Sequence, residues 1–101
     1  SLSYTSLPEF PGVKRDIAFF IDARTPYQEL HNSVIAAHTL VTSVEVFDVY
    51  EGKGVPEGMK SIALHIEYRS PEKTLSMEDA ESVHAVVSKK LESDFNAQVR
   101  N

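Results

Sequence analysis

Cysteine is missing from this 101-residue chain. Its absence removes disulfide staples, thiolate zinc sites and a cysteine nucleophile together, and leaves redox chemistry silent about the compartment. Basic charge is scarce: 10 Lys and Arg stand against 15 Asp and Glu, a formal net charge of −5. That balance argues against a protein that grips nucleic acid by bulk charge, while leaving room for a local basic patch. Long apolar runs are absent too, and "IAFFI" falls far short of the roughly 20 residues of a membrane span. The sequence opens on Ser1 with neither Met nor a leader pattern, from which we expect a piece of a larger soluble protein.

With 42% apolar residues, the chain suits one compact domain that buries roughly two-thirds of its unfolded surface. Residues 1–15 read as an extended lead-in, with Pro8 and Pro11 bracketing Phe10 and Gly12 following. "DIAFFID" (16–22) reads as a central strand, with Ile17, Phe19 and Ile21 on one face and Ala18 and Phe20 on the other. "TPYQ" announces a helix, with Thr25 as N-cap, Pro26 at the first helical position, Gln28 closing a capping box, and Leu30, Val34 and Ala37 or His38 as its stripe. Residues 41–51 return to strand. Residues 59–69 alternate, Ile62, Leu64, Ile66 and Tyr68 against the polar set Ser61, Ala63, His65, Glu67 and Arg69. Ser76 with Asp79 opens a second helix whose stripe is Met77, Ala80, Val83 or His84, Val87 and Leu91, with Lys89 and Lys90 in its last turns. "AQVR" (97–100) is short enough to be only an edge strand. The order βαββαβ predicts an α+β, ferredoxin-like sandwich over 16–101: a four-stranded antiparallel sheet with two helices on one face.

The stretch "VFDVYEGKGVPEGMKS" (46–61) sets the functional question. Its apolar positions break phase between Val46 and Phe47, and one extra residue there, a β-bulge, restores alternation. Val44, Val46, Phe47 and Val49 are then expected to face the helices, and Glu45, Asp48 and Tyr50 the open side of the sheet. "GVPEGMKS" is no phosphate loop: three residues separate Gly54 from Gly58, Met59 intervenes before Lys60, and a strand follows. Its glycines read as hairpin punctuation.

The histidines His31, His38, His65 and His84 lack metal-ligand spacing, and no Ser sits in a nucleophile context. A small phosphatase-like enzyme on this fold would need an Arg in a loop cradling phosphate after the first strand, where "DARTPYQ" instead offers a helix cap. The open face remains, carrying Asp48, Tyr50, Ser61, His65, Glu67 and Arg69, with Lys53 and Lys60 near one edge and Arg15 and Arg100 beside the sheet. An exposed aromatic among hydrogen-bonding and basic groups suits an unstacked RNA base. A solvated sheet face or an interdomain contact that never meets RNA is the alternative, and both readings stay open on the residues alone.

Several stretches in order, "FPGVKRDIA" (10–18), "VFDVYEGKGVPEGMKS" (46–61), "YRSPEKTLS" (68–76) and "NAQVR" (96–100), resemble the ferredoxin-fold anticodon-binding domain that closes the β subunit of bacterial-type phenylalanyl-tRNA synthetase. The resemblance spans nearly the whole chain. It implies a βαββαβ fold that binds the anticodon stem-loop of tRNA(Phe) within a cytoplasmic enzyme. Asp48 and Tyr50 match the positions that contact and stack on the first anticodon base, Ser61 matches a hydroxyl that helps read it, and Arg100 matches a terminal basic residue near the anticodon. Arg15, Lys53, Lys60 and Arg69 are candidate phosphate or rim contacts. The resemblance further implies that ATP and Mg chemistry belongs to the α subunit, so that this domain holds no cofactor, metal or catalytic residue. Its expected partners are tRNA(Phe), the rest of the β subunit and the α subunit, with no membrane. The chain departs from the family pattern at Met59 (a Lys position), at Asn96-Ala97 (a Gly-Ala pair) and at Met77 (an acidic position). Losing the Met59 charge predicts weak phosphate binding by the isolated domain.

Overall fold

The computed structural model describes residues 10–100, so Pro8 and the first nine residues of the expected lead-in lie outside the described residues. The elements run β1 (Val13–Asp22), α1 (Tyr27–Ala37), β2 (Val41–Tyr50), β3 (Met59–Tyr68), α2 (Met77–Phe95) and β4 (Gln98–Val99). They build one four-stranded sheet in the order β2-β3-β1-β4, every pair antiparallel. This is the ferredoxin-like α+β fold the pattern predicts. β1 starts at Val13, three residues before the strand predicted at 16–22, so Val13, Lys14 and Arg15 belong to the sheet.

Strict alternation on the two central strands produces the core. Ile17, Phe19 and Ile21 of β1 and Ile62, Leu64, Ile66 and Tyr68 of β3 are buried beneath Leu30 and Val34 of α1 and Val83, Val87 and Leu91 of α2. Burial of each such side chain stabilises the fold by about 1.5–3 kcal/mol. The polar exception is Tyr68, whose hydroxyl meets His84 Nδ1 at 2.6 Å inside this layer. That bond satisfies a group whose burial unpaired would be costly. Burial in turn raises the Tyr68 pKa well above the ordinary phenol range.

Helix ends differ from the sequence reading in three places. At α1 the cap residue is Pro26, with no side-chain cap bond, and Gln28 Nε2 donates to Asn32 Oδ1 along the helix rather than closing a box. Thr25 instead presents its carbonyl, which accepts from Lys60 Nζ at 2.8 Å. At α2 the Ser76–Asp79 capping box forms as expected, but Met77 is 69% exposed and leaves the stripe, because the first helical residue after the cap projects off the buried side. The helix also continues to Phe95, which puts Lys89 and Lys90 short of its last turn. It closes on Asn96 in the left-handed conformation, φ 55°. Asn is among the few residues that accept this geometry, which accounts for its standing at a glycine position.

Candidate nucleic-acid interface

The register of β2 against β3 shifts between Val46 and Asp48: Val46 pairs with Leu64 and Asp48 with the next residue back, Ala63. Phe47 is the extra residue, so the bulge lies where the pattern places it. Beyond it Tyr50 pairs with Ser61, Ser61 pairs with Phe20 of β1, and Phe20 pairs with Gln98 of β4. These pairings form one cross-strand row on the side of the sheet away from the helices. Arg100 joins the row after β4: its main-chain N–H donates to the Ala18 carbonyl at 2.8 Å. Its guanidinium rests 4.7 Å from the centroid of the Phe20 ring, and Nη1 donates to Ser61 Oγ at 3.1 Å.

Together Phe20, Asp48, Tyr50, Lys53, Ser61 and Arg100, with Gly54 and Val55 of the β2–β3 loop, line an open hollow of about 210 Å³. Tyr50 remains 46% exposed. Its ring reaches back over Gly52, where a Cβ would stand 3.1 Å from Tyr50 Oη. Gly52 has φ 133°, so it serves both the turn and the position of the tyrosine. Ser61 is buried to 6% exposure under these neighbours. Because Arg100 donates to the Ser61 oxygen, the hydroxyl proton is left to donate elsewhere.

Asp48, Tyr50, Ser61, Arg100 and Lys53 are thus brought together, and the remaining candidates are not. Arg15 shares the face of Ile17 and pairs with Glu81 of α2 at 2.8 Å, on the helix side of the sheet. Lys60 also turns to the helix side, toward the Thr25 carbonyl. Arg69 lies on the open face at the far end of β3, where it donates to the Phe10 carbonyl at 2.7 Å and to Glu67 at 3.2 Å. Phe47 is a correction of the opposite kind: expected against the helices, it stacks on His65 of the open face, centroids 3.7 Å apart and planes 8° from parallel. Phe20 was not foreseen as part of the site. Its signal was present in the alternation that set it opposite Ile17, Phe19 and Ile21, on the face without helices.

The hollow offers a flat π-surface, a carboxylate acceptor, a hydroxyl donor and two cations, gathered around one cross-strand row by the neighbouring Asp48 and the β2–β3 loop. Among the described residues, no group of three or more His, Cys, Asp or Glu is arranged to hold a metal ion. A profile of the ferredoxin-fold anticodon binding domain matches residues 8–100, nearly the entire chain. The chain belongs to that family. Relatives of this chain include the phenylalanine-tRNA ligase beta subunits of Bacillus licheniformis, 40% identical over 100 residues and 98% of this chain, and of Syntrophotalea carbinolica, 39% identical over 96%. That of Clostridium acetobutylicum is 40% identical over 99% of the chain. The chain spans only 12–13% of the length of these relatives.

Proposed function

We propose that this domain binds the anticodon stem-loop of tRNA(Phe) and positions that tRNA for a phenylalanine-tRNA ligase. The observation that carries the reading is the hollow in which Asp48, Tyr50, Ser61 and Arg100 converge. The family match and the names of the relatives support it. An unpaired base stacks on Tyr50, gives its amino hydrogens to Asp48 and accepts the Ser61 proton at a carbonyl or ring nitrogen. Arg100 and Lys53 meet the adjoining phosphates. The partners are tRNA(Phe), the remainder of the β subunit and the α subunit. ATP and Mg are used by the parent enzyme outside this domain, in the cytoplasm. Binding here acts far from the reacting ester, and its energy holds the substrate in register.

Replacing Tyr50 by Ala in the full synthetase is expected to cost about 1–3 kcal/mol of tRNA binding. It should raise the KM for tRNA while leaving amino-acid activation, measured without tRNA, unchanged. An unaltered kcat/KM for tRNA in Tyr50→Ala would rule out the stacking role.

A further inference from the structure

The bulge on β2 does more than turn Asp48 and Tyr50 outward: it leaves Phe47 on the open face, where 48% of the residue is exposed. A phenylalanine so exposed on a polar sheet face gains little from burial. What it does have is order. One side of its ring lies on the His65 imidazole at 3.7 Å, and His65 Nδ1 is held by Asp16 Oδ1 at 2.7 Å. Asp16, His65 and Phe47 come from β1, β3 and β2, so a single ring is positioned by three strands. That is the construction of a platform, and one four-stranded sheet with aromatics on its surface can stack two or three bases.

We propose that the Phe47–His65 pair is a second base-stacking platform, for a base of the same RNA strand whose neighbour occupies Tyr50. The inference rests on the reading of the Tyr50 hollow as an RNA site. Phe47 precedes Tyr50 by three residues on one strand, a displacement of about 10 Å at the rise of a β-strand, within reach of a splayed-out neighbouring nucleotide. The surroundings define the base. An adjoining hollow of about 310 Å³ is lined by three carboxylates, Asp16, Glu45 and Glu67, against one ammonium, Lys14; Asp16 is engaged by His65 and Glu67 by Arg69, and Glu45 adds a further acceptor. Carboxylates accept from exocyclic amines and repel phosphate, so this platform takes an amine-bearing base (adenine, guanine or cytosine) with its phosphates turned toward solvent. Uracil offers no such donor at its carbonyl positions.

The test uses the full-length synthetase that carries this domain and tRNA(Phe) transcripts in which each anticodon-loop base is replaced in turn by an analogue lacking its amine: purine riboside for adenosine, inosine for guanosine, uridine for cytidine. Phe47→Leu is expected to weaken tRNA binding at least about fivefold, and Phe47→Tyr, which keeps the platform, to restore it. At one loop position, different from the one coupled to Tyr50, amine removal should weaken wild-type binding and have no further effect in Phe47→Leu. If Tyr50→Ala weakens binding while Phe47→Leu binds as wild type with an unchanged unfolding midpoint, the second platform is overturned and the Tyr50 site stands. If neither variant weakens binding, both fail. A Phe47→Leu enzyme that binds tRNA normally but loses subunit association would overturn the platform in favour of a protein contact.

Discussion

Tyr50 owes its position to a residue that has no side chain. Gly52, at φ 133°, holds a backbone region nearly closed to other residues and leaves the space into which the Tyr50 hydroxyl reaches, 3.1 Å from where a Cβ would be. Gly52→Ala is therefore expected to lose about 1–3 kcal/mol of stability through backbone strain, and also to weaken tRNA binding, because the ring must move off its resting place. Gly54 makes the comparison specific. It too has positive φ, 92°, but a Cβ there meets nothing within 4 Å. Gly54→Ala should lower the urea midpoint while leaving the tRNA Kd near wild type. Equal losses of affinity in the two variants would show that the loop backbone, and not the space under Tyr50, controls the site.

At the scale of elements, α2 is tied down by carboxylates whose ionised form the fold favours. The Ser76 main-chain N–H, then its hydroxyl, hold Asp79 below the usual carboxylate range. Lys90 and then Ser33 do the same for Asp94, where Ser33 reaches across from α1 at 2.7 Å. Between them His84 is held below its ordinary value by burial, reinforced by the Arg15 charge and opposed by Glu81 and Asp16. A lowered folded pKa means that the unfolded chain binds the proton more readily, so each group stabilises the fold at high pH. The His84 contribution is complete above pH about 6.5 and that of the two carboxylates above about 4, and each is lost as pH falls through its folded value. Urea midpoints should accordingly decline in two stages on acidification. His84→Gln should flatten the upper stage and Asp94→Asn part of the lower one. What the sequence disclosed about these elements followed the same division between local and tertiary causes. The Ser76–Asp79 box, the alternation of β3 and the bulge after Val46 are local signals, and each appears where it was read. The direction of Phe47 is not local. Val44 and Val46 of edge strand β2 pack against the core, but past the bulge Val49 on the same side is 56% exposed, so an inward Phe47 would have had little to bury against, whereas His65 was available on the other face. Lys60 and Arg15 went astray for a related reason: their partners, the Thr25 carbonyl and Glu81, lie 35 and 66 residues away.

For the whole molecule, the acidic balance limits how the proposed site can hold RNA. Among the described residues, most of its guanidinium groups and two of its ammonium groups are already committed to carboxylates: Arg15 to Glu81, Arg24 to Asp22, Arg69 to Glu67, Lys73 to Asp79 and Lys90 to Asp94. At the Tyr50 hollow the cations are Lys53 and Arg100. Counterion release then assigns this domain a small share of the salt dependence, a slope of log K against log salt of about −1.4 for two contacts to single-stranded phosphates. In the proposed binding mode, stacking and hydrogen bonding, which depend little on salt, carry the rest. Measured on the full synthetase between 50 and 200 mM salt, roughly the range over which such slopes are resolved, Lys53→Ala should make the slope shallower by about 0.7, and Arg69→Ala should leave it unchanged, since Arg69 is bonded to Glu67 and the Phe10 carbonyl at the far end of the face. Equal effects from Lys53 and Arg69 would mean that the RNA runs the length of the sheet as a charged strand, and that the Tyr50 end is not where the phosphates are held.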